Sequence, residues 1–207
     1  MQRLACLTLL TVTALCAADK GFISLFNGKD LTGWKVNENQ ETFSVQDGAI
    51  VAHGQRSHCF YVGDVGNHTF KNFHLKADVM TLPGSNGGIY FATEYQDKSW
   101  PVKGFEAQVN NTFKGDHRKT ASLYQVQDNE TEVAADNKWF TEEIIVNGRN
   151  VTIKVDGKDI VKWTEPADWQ GTKEFPGRRI SPGTIALQGH DKNSTVYYKN
   201  IRIKLLK

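Results

Sequence analysis

The segment from Gly104 to Asn110 carries the residues best suited to chemistry. Successive side chains of an extended strand point to opposite faces, so Glu106 and Gln108 share one face with Asn110. A carboxylate that lies beside amides can exchange a proton and bind hydroxyl groups. Glu106 is therefore predicted to be a general acid or base, and Gln108 a substrate ligand. A solvated or salt-bridged glutamate is the simpler alternative.

A second segment, Thr184 to His190, repeats this pattern on another predicted strand. Ile185 and Leu187 face one way, whereas Gln188 and His190 face the other. Two such strands in one sheet could form a single site. Gln188 is predicted to bind substrate. Because a histidine side chain ordinarily exchanges protons near neutral pH, His190 is predicted to be catalytic or to bind a metal, with a polar surface role as the alternative.

The sequence offers no obvious second carboxylate beside Glu106. Hydrolysis of an ordinary glycoside uses two carboxylates about 5 Å or roughly 6.5 to 9.5 Å apart. Laminarinase-like sandwiches carry them on one strand as Glu-x-Asp-x-x-Glu, but Gln108 and Asn111 occupy those positions here. Glu94 and Asp97 could supply the second carboxylate from a neighbouring strand end, or could be loop charges. Ordinary two-carboxylate chemistry is therefore disfavoured.

Aromatic and histidine side chains complete the set of candidates. Trp100 and Tyr124 are predicted to bind substrate as sugar platforms or hydroxyl partners, with core packing as the alternative. His58, His117 and Asp116 are predicted to lie in loops and lack the local spacing of a metal motif. No cofactor is certain. A divalent metal held by residues distant in sequence stays open.

The elements that must position these residues are predicted to be β-strands. Nearly every segment after residue 20 alternates apolar and polar residues and is bounded by Gly, Asn or Asp. Between Glu142 and Trp163, the dipeptides Asn147-Gly148 and Asp156-Gly157 are typical of hairpin turns. The pattern predicts an all-β fold, a two-sheet antiparallel sandwich of jelly-roll type.

Two further expectations concern the topology. The closing segment Asn200 to Leu205 is predicted to pair near the N-terminal strand. The longer irregular pieces are predicted to be loops held by the sandwich, where binding residues often lie. They are Gln55 to His68, Asp97 to Val102, Asn111 to Thr120 and Thr164 to Pro182.

The N-terminal segment indicates an exported protein. Residues 1–18 combine Arg3, a short apolar run and a small-x-small cleavage site, as in a signal peptide, and residues 19–207 are predicted to form a single domain. No later segment is apolar enough to span a membrane. Cys59 is the one cysteine of the mature chain, which excludes an internal disulfide.

Charge and compartment limit the partners. The net charge of +2, without long runs of one sign, gives no support to nucleic-acid binding. The expected location is periplasmic or extracellular, and the expected partner is a carbohydrate. The oligomeric state stays open.

Four parts of the chain together resemble the 3-keto-disaccharide hydrolase domain family. The opening Leu-Phe-Asn-Gly-x-Asp-Leu-x-Gly-Trp pattern is the most specific of them, and the resemblance covers roughly residues 22–206. The segments are Ile23 to Trp34, Ser85 to Phe91, Gly104 to Val109, and Ile185 to His190 with Tyr198 to Ile203.

The resemblance implies a concanavalin A-like sandwich that acts on glycosides with a ketone at carbon 3. Such a ketone acidifies the proton on carbon 2, so one base and donors to the oxyanion suffice for elimination, which water addition follows. By this resemblance Glu106 is the base or acid, and Gln108 and Gln188 orient hydroxyls or the enolate. His190 assists the leaving group or binds a metal, and Tyr124 donates to the sugar.

One departure from the family concerns charge. Family members often carry Arg shortly after the Gly-Ile-Tyr-Phe run, where this chain has Ala92-Thr93-Glu94. The departure leaves the charge of that corner and the substrate preference open.

Two other function classes compete with an enzyme. A non-catalytic, lectin-like carbohydrate-binding domain would use the same sandwich and aromatic side chains without chemistry. A structural or adhesive domain of the cell envelope would instead expose a broad apolar patch and have no sugar pocket.

Overall fold

The computed structural model describes residues 20–207 of the chain. Across this range the chain forms thirteen β-strands and two short 3-10 helices, Gln40–Thr42 and Val65–His68. The predicted all-β class is therefore confirmed. The predicted signal peptide, residues 1–18, lies outside the described residues. Within them, no helix combines the length and the apolar character needed to cross a membrane.

The strands follow one another with short turns in the hairpins and longer loops elsewhere. In chain order they are β1 (Ile23–Ser24), β2 (Trp34–Val36), β3 (Phe43–Gln46), β4 (Ala49–His53), β5 (Ser57–Tyr61), β6 (Phe73–Thr81), β7 (Gly87–Thr93), β8 (Phe105–Val109), β9 (Phe140–Asn147), β10 (Asn150–Val155), β11 (Lys158–Thr164), β12 (Thr184–Gly189) and β13 (Thr195–Leu205).

The strands form two antiparallel sheets that pack face to face. The larger sheet has eight strands in the order β11-β10-β9-β6-β13-β4-β3, with β1 beside β13. The smaller has five strands in the order β2-β5-β12-β7-β8. Alternate side chains of both sheets meet in one apolar core. This arrangement confirms the predicted jelly-roll sandwich.

The core fixes which face of β8 is available for chemistry. Phe105, Ala107 and Val109 are fully buried between the sheets. Burying a side chain the size of phenylalanine stabilises the fold by about 1.5 to 3 kcal/mol. A slip of one residue would move these three side chains to the pocket face and place Glu106 and Gln108 in the core, so the register is strongly determined. The predicted alternation of this strand is confirmed.

The predicted hairpins form, with one difference in turn position. Val155 pairs with Lys158 across a two-residue turn, Asp156-Gly157, and both turn residues have positive φ. Asn147, by contrast, pairs with Asn150, so the first turn is Gly148-Arg149 rather than Asn147-Gly148. Gly148 still supplies the positive φ (59°), at the first turn position.

The first and last strands of the described residues pair with each other, as predicted. Ile23 of β1 pairs with Ile203 of β13, which places the N-terminal strand beside the closing strand.

One predicted loop is wrong. Part of the segment Gln55 to His68 forms the central strand β5, Ser57–Tyr61, between β2 and β12. All five of its side chains are buried. The core covers the inner face of this strand, and loops cover its outer face. A strand that is buried on both faces shows no alternation. The other three predicted loops contain no strand in the structure apart from Thr164, the last residue of β11.

Candidate active site

A pocket of about 250 Å³ opens on the outer face of the five-stranded sheet. Strands β7, β8 and β12 form its floor, and the loops on either side of β8 and before β12 form its walls. It is lined by Asn86, Tyr90, Trp100, Glu106, Gln108, Asp116, Tyr124, Glu174, Phe175, Arg178, Gln188 and His190. Six of the seven residues predicted to form a site therefore come together here, although β7 separates the strands that carry Glu106 and Gln188.

Glu106 lies at the floor of the pocket and is only 3% exposed. The amide Nε2 of Gln188 donates a hydrogen bond to its Oε1 over 2.7 Å, and the Tyr90 hydroxyl donates a second. Burial raises the pKa of this carboxyl, while the nearby charge of Arg178 and the two hydrogen bonds work in the opposite direction. The result is a buried, hydrogen-bonded carboxyl whose raised pKa makes its ionised form a better base.

A glycine on the neighbouring strand makes room for this carboxyl. Gly88 lies opposite Gln108 across the β7–β8 pair. A Cβ at this position would lie 2.6 Å from Oε1 of Glu106, closer than real side chains approach. Only a residue without a side chain fits beside the carboxyl in its present position.

Arg178 reaches the same carboxyl from the loop between β11 and β12. Its Nη2 lies 3.8 Å from Oε2 of Glu106, and the residue is 2% exposed. Arg178 therefore places a positive charge beside Glu106 from a segment distant in sequence. Ala92, at the end of β7, packs in the core.

Two glutamine amides face the pocket from β8 and β12. The Nε2 of Gln108 donates to Oδ1 of Asn86 over 3.1 Å, and that of Gln188 donates to Glu106. The Oε1 atoms of both glutamines are buried and accept no hydrogen bond from any described residue. Buried polar atoms are normally paired, so these two oxygens are suited to accept hydroxyl protons of a ligand.

His190 follows β12 directly and is oriented by its neighbour in sequence. Its Nδ1 lies 2.7 Å from Oδ2 of Asp191, which also accepts a hydrogen bond from the Ser194 hydroxyl. Although burial opposes the change, the hydrogen bonds from His190, Asn193 and Ser194 lower the pKa of Asp191. A carboxylate acceptor holds the proton on Nδ1, so Nε2 is the nitrogen suited to exchange a proton.

Tyr124 is hydrogen-bonded to β8, the strand that carries Glu106. Its backbone N–H donates to the carbonyl oxygen of Glu106 over 3.0 Å. Burial, the charge of Asp116 and a hydrogen bond to that carboxylate raise the pKa of the phenol, so the hydroxyl stays protonated near neutral pH. The guanidinium carbon of Arg118 lies 4.7 Å from the centre of its ring.

Trp100 forms one wall of the pocket, and its ring contacts the rings of two histidines. Its ring centre lies 5.4 Å from that of His190 and 5.5 Å from that of His58. His58 was predicted to lie in a loop, but it belongs to β5, directly opposite Gln188. Burial lowers its pKa to about 3, so its ring is neutral, and neither ring nitrogen has a hydrogen-bond partner in the part of the chain that the structure describes.

Glu94 and Asp97 do not join this pocket. Glu94 forms an ion pair with Lys103 over 2.8 Å, its side chain is 62% exposed, and it borders a separate surface hollow. Asp97 is exposed on the adjoining loop. The other carboxylates lining the pocket are those of Asp116 and Glu174, from loops in which the sequence predicts no catalytic acid.

Asn110 stabilises a loop. The alternation of β8 had instead suggested that its amide binds a hydroxyl group of a ligand. Its Nδ2 donates to the carbonyl oxygens of Asp116 and Arg118, and its Oδ1 accepts from the N–H of Phe113. All three bonds fix the loop after β8, which carries Asp116 to the pocket.

The residues of this pocket do not form a recognisable metal centre. Over residues 20–207, no group of three or more His, Cys, Asp or Glu side chains is arranged to hold a metal ion. His190, proposed from sequence as a ligand, has Asp191 as its nearest such neighbour.

Sequence reasoning missed six of the residues that line the pocket, and also Asp191, which contacts His190. Tyr90 follows Gly88 on the alternating face of β7, so the period-two pattern could have identified it. Asp191 is adjacent to His190, but adjacency gives no orientation. Asn86 and Arg178 lie in loops, and no local pattern predicts that they reach the site.

A family model and a curated protein that match this chain both carry names that refer to 3-keto sugars. A family model described as a 3-keto-alpha-glucoside-1,2-lyase-like domain matches residues 21–204. A curated protein of Bacteroides thetaiotaomicron named 3-keto-disaccharide hydrolase is 26% identical, over 90% of this chain and 79% of its own length.

Solved structures are similar over most of the chain. A glycosyl hydrolase candidate from Parabacteroides distasonis has a TM-score of 0.77 and 26% identity, covering 92% of this chain and 96% of its own. A carbohydrate-binding module from Bacillus subtilis, CBM66, has a TM-score of 0.59 and 13% identity, covering 83% and 95% of the two chains. The second likeness concerns the fold alone.

Proposed function

Because this chain belongs to the family of 3-keto-alpha-glucoside-1,2-lyase-like domains, we propose that it cleaves glycosides whose sugar ring carries a ketone at carbon 3. The similarity to a protein named 3-keto-disaccharide hydrolase supports a carbohydrate-active, glycosidase-type function in general. The observation that carries the finer proposal is Glu106, a buried carboxyl held by Gln188 and Tyr90 beside a buried arginine.

The chemistry follows from the acidity of a carbon next to a ketone. The Glu106 carboxylate removes the proton from carbon 2, and the electrons of that bond form an enolate with the oxygen on carbon 3. The enolate then restores the ketone, carbons 1 and 2 become doubly bonded, and the bond from carbon 1 to the glycosidic oxygen breaks. Water addition to the double bond completes the net hydrolysis. One base is sufficient, so this route needs no second carboxylate at a fixed separation.

Other pocket residues have roles that fit this sequence of steps. His190 in its protonated form gives the Nε2 proton to the departing oxygen, and Asp191 stabilises that form. The Oε1 atoms of Gln108 and Gln188 accept hydrogen bonds from ring hydroxyls. Trp100 and Tyr124 form walls on which the second sugar or another leaving group rests.

The site is proposed to act outside the cytoplasm. The N-terminal residues 1–18 have the composition of a signal peptide, which supports an exported, periplasmic or extracellular enzyme. An oxidised disaccharide or another 3-keto-glycoside is the expected substrate class.

Product formation from matched sugars tests the proposal. The purified mature protein is incubated with 3-keto-trehalose or another 3-keto-glucoside, and in parallel with the unoxidised parent sugar, each with and without a chelator. Cleavage of the keto sugar alone is the expected result, and loss of activity with chelator would add a metal requirement. Binding of these sugars without turnover of either would contradict the proposal and favour the lectin-like alternative.

A further inference from the structure

Arg178 carries hydrogen-bond donors that the described protein leaves unused. The residue is 2% exposed, and its Nε and Nη1 are buried atoms with no hydrogen-bond partner within residues 20–207. Its Nη2 faces Glu106 at 3.8 Å, which is an electrostatic contact rather than a hydrogen bond. Buried donors of a charged group are normally satisfied, and those that are not call for an explanation.

The surroundings hold this guanidinium in place without bonding its nitrogens. The guanidinium carbon lies 4.5 Å from the ring centre of Phe175 and 5.3 Å from that of Tyr124. The Arg178 backbone is fixed as well, because its N–H donates to the Phe175 carbonyl and its carbonyl accepts from Nε1 of Trp169. The guanidinium is therefore oriented in advance, and Arg178 lines the pocket that contains Glu106.

We propose that Arg178 is a catalytic residue that donates from its guanidinium to the oxygen on carbon 3 of the keto sugar. This inference rests on the proposed function and assigns a second member of its chemistry. In the ground state the donors bind the ketone oxygen. When the carbon 2 proton moves to Glu106, they bind the same atom as an enolate oxygen.

The movement of charge during that step favours an arginine at this position. Before proton transfer the negative charge is on the Glu106 carboxylate, and afterwards it is on the oxygen of the substrate. The proton is gained by Glu106, the electron pair of the bond between carbon 2 and hydrogen becomes the enolate, and the net charge of the site is unchanged. A cation next to both positions stabilises the charge before and after the transfer, with no need for reorientation.

The planar guanidinium also matters, and not only its charge. Arginine presents several donors in a rigid fork, so it can face Glu106 with one nitrogen and the substrate with the others. A lysine would keep the positive charge but would offer one ammonium point at a different distance. Arg178→Lys therefore distinguishes the contribution of the guanidinium donor geometry from that of the positive charge.

An alternative is that Arg178 serves only as counterion of Glu106. In that case removing it raises the pKa of the carboxyl, and activity returns when the pH is raised above the new pKa. If Arg178 binds the carbon 3 oxygen, the activity lost at neutral pH does not return at higher pH. The height of the high-pH plateau of kcat thus distinguishes the two roles.

The test compares Arg178→Gln and Arg178→Lys with wild type and with Arg179→Gln, a change at the exposed neighbouring residue. Each variant is checked by thermal unfolding, and kcat for a 3-keto-glucoside is measured across pH. We expect the plateau kcat to fall by about a hundredfold to a thousandfold in Arg178→Gln and by at least about tenfold in Arg178→Lys. Arg179→Gln should match wild type. Arg178→Lys remains decisive if Arg178→Gln does not fold.

Binding of sugars that cannot be cleaved gives a second measurement. The probes are the 1-deoxy sugar with a ketone at carbon 3 and its 3-hydroxy parent, neither of which has a leaving group on carbon 1. Wild type should prefer the ketone, and Arg178→Gln should lose most of that preference while it binds the parent unchanged. A plateau kcat within threefold of wild type in both Arg178 variants would overturn the inference alone. A wild-type protein that cleaves no 3-keto-glucoside would overturn the proposed function and this inference with it.

Discussion

The amide nitrogen of Gln188 lies 2.7 Å from the carboxyl oxygen Oε1 of Glu106, although the two residues belong to strands that are not neighbours. Strand β7 runs between them, and its Gly88 has no side chain to separate the two groups. The hydrogen bond joins two patterned strands of the sequence into one site. It also stabilises the ionised form of the carboxyl, because Nε2 can only donate.

Replacing Gln188 should therefore change the pH dependence of activity. In Gln188→Met the side chain keeps a similar size but donates no hydrogen bond to Glu106. The pKa of Glu106 rises, so its base form appears only at higher pH and the acidic limb of the kcat profile moves upward. Gln108→Met is the matched control, since the Gln108 amide bonds Asn86 instead of Glu106. An acidic limb that moves equally in both variants would contradict this role of Gln188.

The contact between His190 and Asp191 leads to a prediction about the rate of cleavage. Asp191 accepts from Nδ1 and holds the imidazole in the orientation in which Nε2 donates to the leaving group. In Asp191→Asn the carboxylate acceptor is lost, and we expect kcat to fall about tenfold or more. Asp97→Asn, at an exposed aspartate outside the pocket, should retain the wild-type kcat. A wild-type kcat in folded Asp191→Asn would rule out this assignment.

The sequence was sufficient for the parts of the site that lie on patterned strands. The alternation of Phe105 to Val109 places Glu106 and Gln108 on one face because the apolar residues must enter the core. Likewise, the alternation of Thr184 to His190 identifies Gln188 and His190. These assignments depend on local periodicity and on burial, both of which can be recognised in a linear sequence.

The remaining parts depend on contacts between distant segments. Arg178 reaches the pocket because Phe175 and Trp169 fix an irregular loop, and no periodicity describes such a loop. Strand β5, with His58, was missed because both of its faces are covered. Glu94 was placed in the site because it follows β7, but the chain turns outward there and pairs it with Lys103.

A second buried carboxyl provides a prediction about stability. Glu142 of β9 is 1% exposed and points into the core. Burial raises its pKa from 4.5 to about 8, and neither of its carboxyl oxygens has a hydrogen-bond partner among residues 20–207. Below pH 4.5, the pKa of the unfolded state, Glu142 is protonated in both the folded and the unfolded state, and its burial carries no charge. Between pH 4.5 and 8 only the unfolded state releases the proton, so the free energy of unfolding should decrease as pH rises.

The change at Glu142 is measurable by denaturant unfolding at several pH values. Each unit of difference between the folded-state and unfolded-state pKa corresponds to roughly 1.4 kcal/mol. The change in the free energy of unfolding should therefore be several times the measurement error. Glu142→Gln cannot ionise and should reduce the pH dependence of the free energy of unfolding between pH 5 and 8, whereas Glu132→Gln, at an exposed position, should retain it. An unchanged slope in Glu142→Gln would show that another group is responsible.

The most direct test of the account is kcat for a 3-keto-glucoside in Glu106→Gln, with Glu94→Gln as the matched control. The substituted amide cannot accept the carbon 2 proton, while Glu94 is an exposed carboxylate outside the pocket. We predict that Glu106→Gln folds, still binds the sugar and loses about a hundredfold to ten-thousandfold in kcat, and that Glu94→Gln retains wild-type activity. Full activity in folded Glu106→Gln would contradict the assignment of Glu106 as the base.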